Sequence, residues 1–262
     1  MNTERFRVSF DGKSFEVAAN VRRAGPDLLL LIHGLACSRD TYCYIWDRSD
    51  FAEYSVLAMD LVGFGDSDKP GDFPYTMKAQ GQVVAEFLAR FPHGKLHLVA
   101  HSMGGAVGLL LPAGILNSVE TFANVEGNLT GDDCDFIEDS DMCSRGMKNA
   151  GPDVIAAEII PKMRARYADS GPGYAAVDST NADVLHRSSE SLVARSDSNE
   201  LLDLFDALDC RKAYFYGSRN SEHPTVKAVR DIPKVEIGHS GHFPMSDNPE
   251  DFYNRLHAFI TG

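Results

Sequence analysis

Ser102 constrains this chain more than any other residue. It stands between a nearly continuous apolar run, Lys95-Leu-His-Leu-Val-Ala100, and a glycine-rich helix start, Met103-Gly-Gly-Ala-Val107. The run reads as a strand buried on both faces, and a helix is expected from Met103 to Leu116. A serine at that joint is lifted out of the sheet on a tight strand-to-helix turn. Such a turn needs small residues two positions to either side. Here they are Ala100 and Gly104, with Gly105 easing close helix packing. A helix N-terminus also adds positive potential where an oxyanion would form. The plainer role for such a serine is helix N-capping, which this strand and glycine context argues against.

The rest of the chain alternates in the same way. Arg5 to Phe10 and Ser14 to Ala19 read as a hairpin closed by Asp11-Gly12. Apolar runs at Asp27 to His33, Ser55 to Asp60 and Glu120 to Val125 read as further strands, with a helix over Lys78 to Phe91. The pattern resumes with strands at Arg211 to Tyr216 and Lys234 to Ile237 and a closing helix from Pro249 to Ile260. This is the signature of an α/β fold with a mostly parallel sheet flanked by helices. Between Leu129 and Leu204 no strand-like run occurs. That stretch opens acidic, carries helical periodicity such as Val154 to Tyr167, and is interrupted by Gly171-Pro172-Gly173 and several serines. It reads as a helical insertion, dividing the chain into a core of 1–128 and 205–262 and a unit of 129–204.

Charge and composition narrow the partners. The 262 residues carry a formal net charge of -13, a field that repels nucleic-acid backbones and anionic membrane surfaces. The expected partner is a small molecule, with no nucleic acid and no membrane. The N-terminal ten residues lack the apolar stretch of a signal peptide, and the longest apolar run, Leu28 to Ile32, is too short to span a bilayer. Cys37, Cys43, Cys134, Cys143 and Cys210 form no Cys-x-x-Cys pair and are odd in number, which favours unpaired thiols and a cytoplasmic location. No metal-ligand cluster or phosphate loop is evident, so no cofactor is expected.

Four motifs, taken in order, resemble the α/β-hydrolase superfamily across nearly the whole chain. Ala100-His-Ser-Met-Gly-Gly105 looks like its nucleophile elbow, with Ala100 where glycine is usual. His33-Gly34-Leu35 resembles its oxyanion loop, and Asp60-Leu-Val-Gly-Phe-Gly-Asp-Ser67 its segment after the next strand. Gly241-His242-Phe243-Pro244 resembles its catalytic-histidine loop. The resemblance implies Ser102 as nucleophile, His242 as base, and the backbone amides of Leu35 and Met103 as oxyanion donors. His33, His101 and His239 are then structural. Asp60, before Gly63 and Gly65, is expected to hydrogen-bond within a turn.

The acid is where the sequence departs. In most of the superfamily it follows the strand at Arg211 to Tyr216, and that position holds Asn220, an amide that cannot stabilise an imidazolium as a carboxylate does. Glu222 lies two residues on. Glu126 directly follows Thr121-Phe-Ala-Asn-Val125, where branches such as the haloalkane dehalogenases carry their acid, and it is the preferred candidate over Glu222. Dehalogenation itself is excluded, since it needs a carboxylate where Ser102 stands.

The implied activity is hydrolysis of a small or medium carboxylic ester through an acyl-enzyme, with a Ser-His-Glu triad. Cleavage of a lactone or of a carbon–carbon bond would use the same three residues. A small-molecule receptor on the same fold is the non-enzymatic alternative. The insertion is expected to cap the elbow and shape the pocket, with Phe136, Ile137, Met142, Met147, Ile159, Ile160, Met163 and Tyr167 as lining or cap-core residues. Trp46 either reaches the pocket or packs beneath it.

Overall fold

The computed structural model describes residues 3–135, 140–168, 170, 176–179 and 181–262. β1 (Thr3–Phe10) and β2 (Lys13–Arg22) form an antiparallel hairpin. Its turn residues Asp11 and Gly12 both take positive φ, as a right-twisted two-residue hairpin requires. The remaining strands are β3 (Leu28–Ile32), β4 (Ser55–Met59), β5 (Leu96–His101), β6 (Val119–Val125), β7 (Arg211–Gly217) and β8 (Lys234–Ile237). One sheet orders all eight as β1-β2-β4-β3-β5-β6-β7-β8, with β3 to β8 mutually parallel. The C-terminal ends of β3, β5, β6 and β7 therefore open together along one edge, where sites in open α/β sheets collect.

Burial explains why β3 is so apolar. Leu28, Leu30 and Ile32 enter one hydrophobic cluster while Leu29 and Leu31 enter the other. Each such side chain contributes roughly 2 kcal/mol when taken out of water. The helices supply the two layers. α1 (Met77–Leu88) starts at Thr76, whose hydroxyl accepts from Ala79 N–H at 3.2 Å. The helix expected from Met103 to Leu116 is two, α2 (Met103–Leu109) and α3 (Ala113–Leu116). Pro112 lacks the donor and crowds the preceding turn, so the first helix cannot run through it.

Between β6 and β7 the elements formed by the described residues are helices. α4 (Ser144–Val154) kinks at Gly151 before Pro152 and passes through a π-helical turn, Ile155–Ile159, into α5 (Ile160–Tyr167). α6 (Ala182–Asp197) and α7 (Glu200–Ala207) follow. The serines taken as interruptions lie inside α6: Ser188, Ser189 and Ser196 are fully buried, and small side chains there let α4 pack on it. Gly171-Pro172-Gly173 falls outside the described residues. α8 (Pro224–Ala228), α9 (Pro244–Asp247) and α10 (Pro249–Thr261) complete the chain. None of the five cysteines is in a disulfide. Among the described residues no helix is long and apolar enough to cross a membrane.

The small-residue requirement of the elbow is visible in distances. A Cβ on Gly104 would stand 2.5 Å from the Ile32 carbonyl oxygen and 2.6 Å from that of His33, both backbone atoms that cannot move aside. Gly104→Val is expected to destabilise the fold by about 3 kcal/mol, read from the denaturant midpoint. A change well under 1 kcal/mol would show that α2 has slack against β3.

Candidate active site

Ser102 leaves β5 with φ 53° and ψ -124°, a left-handed conformation that side chains rarely adopt. Such geometry costs on the order of 1–3 kcal/mol and persists only where neighbours hold it. Here Ser102 N–H donates to Val125 O at 3.1 Å, and Ser102 O accepts from Gly105 N–H at 2.8 Å and Asn128 N–H at 3.3 Å. The elbow is thus tied to its own helix and to the end of β6. Ala100, the departure from the usual glycine, is fully buried, and its methyl is accommodated beside Gly108 of α2.

His242 Nε2 lies 3.1 Å from Ser102 Oγ, within hydrogen-bond reach of the proton a base would take. Its loop is held from two sides. Gly241 N–H donates to Asp247 Oδ2 at 2.7 Å, and His101 Nε2 donates to the carbonyl of His242 at 2.7 Å. That bond fixes His101 as the Nε2–H tautomer, since a carbonyl can only accept. Its ring also lies against that of His242, with centroids 4.9 Å apart. Burial holds the His101 pKa well below the ordinary range, and neighbouring His242 pushes it the same way. His239 takes no part in these contacts beyond its carbonyl, which accepts from Arg219 at 3.5 Å.

Glu126 sits at the end of β6 with φ 47°, a second left-handed residue. Its N–H donates to Phe215 O at 2.8 Å, which anchors it to β7. One carboxylate oxygen accepts from Gly217 N–H at 2.7 Å and from the Asn220 amide at 3.0 Å. The other faces His242 Nδ1 at 3.6 Å, longer than a hydrogen bond. The Glu126 side chain is only 5% exposed. Glu222, by contrast, is 88% exposed and pairs with Lys227 at 2.8 Å. The structure therefore brings Ser102, His242 and Glu126 together and leaves Glu222 outside. Asn220 is a partner of the carboxylate, a role the sequence reading did not foresee. An amide at the position where the superfamily usually has its acid was the available signal.

The oxyanion loop is fixed by a histidine and a buried ion pair. His33 Nε2 accepts from Leu61 N–H at 3.0 Å, so its Nδ1 carries the proton and donates to Gly34 O at 2.8 Å. In a trans peptide the carbonyl and the following N–H point opposite ways. Holding Gly34 O toward the ring therefore turns the Leu35 N–H away from it. A Cβ on Gly34 would stand 3.0 Å from Ser102 Cβ, so the loop lies against the elbow. Asp60 does bond within its turn, to Asp66 N–H at 2.8 Å, and it does more. It accepts from Arg39 N–H at 2.7 Å and pairs with the Arg39 guanidinium, both fully or nearly buried. Removing one partner of such a pair strands the other.

A pocket of about 580 Å³, its open mouth included, runs from Ser102 and His242 to the helical insertion. Of the residues expected to line it, Met142, Met147, Met163 and Tyr167 do, together with Leu35 and Phe243. Ile159 and Ile160 are buried in the hydrophobic cluster instead, and Phe136 and Ile137 fall outside the described residues. Trp46 packs against the opposite cluster, with Arg22 over its ring, and does not line the pocket. Cys37 does, but burial pushes its thiol up to about 12, so it stays protonated and is no rival nucleophile at neutral pH.

The comparisons with known proteins agree with this fold. The sequence model of the alpha/beta hydrolase family matches residues 29–255, and the chain belongs to that family. Over 132 residues it is 31% identical to a probable lysophospholipase, BODYGUARD 5, of Arabidopsis thaliana, covering 48% of this chain and 29% of that one. Over 103 residues it is 34% identical to lipase 1 of Psychrobacter immobilis, covering 39% and 32%. The chain thus spans about a third of the length of these relatives. Among solved structures it resembles an esterase from Thermogutta terrifontis, with TM-score 0.73, 19% identity and 98% of each chain covered. It also resembles an N-acyl homoserine lactonase, with TM-score 0.78, 16% identity and 99% and 97% covered.

Buried histidines, His33 and His101 beside the site among them, give the fold a pH dependence. Burial lowers the pKa of both His33 and His101 below the ordinary 6.5. Below that pH the unfolded chain binds more protons than the folded one, so their contribution to stability is lost as pH falls. We expect Tm to decline from pH 7 to pH 5, and the decline to be shallower in His101→Gln. An equal slope in the two proteins would contradict the neutral, buried state of His101.

Proposed function

We propose that the chain is a serine hydrolase of carboxylic esters, with Ser102 as nucleophile, His242 as base and Glu126 as the acid. The single observation that carries the reading is the 3.1 Å contact between His242 Nε2 and Ser102 Oγ, with a nearly buried carboxylate behind the same ring. His242 takes the Ser102 proton as Oγ attacks the ester carbonyl. The developing oxyanion is met by the amides of Met103 and Leu35, donors worth roughly 3 kcal/mol each in such sites. Collapse expels the alkoxide, which leaves as the alcohol with the proton from His242. Water, deprotonated by the same imidazole, then attacks the acyl-enzyme, and collapse returns Ser102 and a carboxylic acid.

Glu126 stabilises the imidazolium formed in both steps, and Asn220 and Gly217 hold one of its oxygens so that the other faces Nδ1. The helical insertion, 129–204, serves as a cap that supplies most of the apolar lining and limits water. Relatives and neighbours named as a lipase, a probable lysophospholipase, an esterase and a lactonase support this class.

A fluorophosphonate probe is expected to form one adduct, on Ser102, located by mass spectrometry of the digested protein. Labelling at another residue, or none, would overturn the nucleophile. Glu126→Gln is expected to lower kcat/KM for p-nitrophenyl esters about a thousandfold or more, while Glu222→Gln stays within about twofold. Loss in Glu222→Gln with retention in Glu126→Gln would reverse the assignment of the acid.

A further inference from the structure

His101 is the last residue of β5, next in sequence to Ser102, and is 1% exposed. A leucine would fill such a place without the cost of burying an imidazole. Part of that cost is uncompensated, because the buried Nδ1 has no hydrogen-bond partner among the described residues.

The other nitrogen accounts for the residue. Nε2–H donates to the His242 carbonyl at 2.7 Å, across 141 positions of sequence. That carbonyl belongs to the peptide joining His242 to Phe243, so the bond fixes a plane that carries the Cα of His242. The plane has to be fixed from outside the sheet, because β8 ends at Ile237 and its pairing with β7 stops there. The bond from Gly241 N–H to Asp247 holds the other flank, but it acts one peptide further out. The rings of His242 and Phe243 lie against that of His101, with centroids 4.9 and 5.0 Å away. On its far side the same ring meets the oxyanion loop. A Cβ on Gly34 would stand 3.0 Å from His101 Nδ1, as near as it would to Ser102 Cβ. One side chain, tied to Ser102 by adjacency in the chain, thus lies against both loops that must register with it.

Resting on the ester-hydrolase reading, we propose that His101 is a positioning residue of the reaction, whose Nε2–H sets where the His242 ring stands relative to Ser102 and Glu126. It exchanges no proton itself. The 3.1 Å contact of His242 with Ser102 Oγ and its 3.6 Å approach to Glu126 both depend on the orientation of one Cα–Cβ bond. Rotation of the peptide beside that Cα moves both together. Loss of the bond therefore slows the steps in which His242 carries a proton and leaves substrate binding nearly as it was.

The test compares wild type, His101→Gln and His101→Phe in p-nitrophenyl butyrate hydrolysis and in the rate of Ser102 labelling by a fluorophosphonate. A glutamine amide nitrogen reaches the place of Nε2 and can donate to the same carbonyl, whereas phenylalanine keeps a flat ring and loses the donor. We expect His101→Phe to lower kcat about thirtyfold with KM within about twofold, and to slow labelling similarly. With its donor kept, His101→Gln is expected to hold kcat within about threefold of wild type. A residue that merely fills the core would give the opposite order, since phenylalanine is the better apolar filler. His101→Asn, whose shorter amide stops at the place of Nδ1, supplies the same contrast with glutamine if the phenylalanine variant does not fold. Wild-type kcat in the donorless variant, a loss confined to KM, or a glutamine variant as slow as the donorless one would overturn the inference alone. Wild-type protein that hydrolyses no ester and whose Ser102 stays unlabelled would overturn the underlying reading and the inference with it.

Discussion

The parallel pairing of β5, β6 and β7 is the constraint on which the site depends, because it brings two left-handed residues to one edge of the sheet. Ser102 and Glu126 each take positive φ at the end of its strand. Neither conformation is favourable alone. Each is held by the neighbouring strand: Ser102 N–H bonds the last carbonyl of β6, and Glu126 N–H bonds β7. Asn128 N–H returns to Ser102 O, so the turns at Ser102 and Glu126 share a hydrogen bond. Strain at one turn is thereby supported by the other, and both are supported by a core in which alternate residues of β3 fill opposite layers.

The position of the proposed acid, Glu126, follows from the same ladder. In this chain the carboxylate comes from β6, and the strand end next to it supplies donors instead: Gly217 N–H and the Asn220 amide. A second carboxylate at 220 would face Glu126 across a buried gap, where like charges cannot both ionise cheaply. Asparagine at that position keeps one negative charge behind His242 and orients it. His101 also holds this loop, donating to the His242 carbonyl, with its ring tilted against that of His242.

The core was legible because its signals are local. Buried strands such as Leu28–Ile32 read as unbroken apolar runs, the Asp11-Gly12 turn carries its own conformational demand, and the elbow compresses strand, serine and glycines into a few residues. Glu126 was legible for the same reason, as a carboxylate at a strand end. What escaped depends on contacts distant in sequence. The break at Pro112 was a missed local cue. The long helix α6 was hidden by serines that are buried rather than exposed, so its apolar stripe looked interrupted. The Arg39–Asp60 pair and the clamp by His101 join residues 21 and 141 positions apart, separations at which no periodicity operates.

The central claim is that Glu126 faces the catalytic imidazole. It is tested most directly by proton NMR of the protein phosphonylated on Ser102, recorded at a pH low enough to protonate His242. The account predicts a strongly downfield Nδ1 proton signal that disappears in Glu126→Gln and persists in Glu222→Gln. A signal that survives Glu126→Gln, or vanishes with Glu222→Gln, would contradict it.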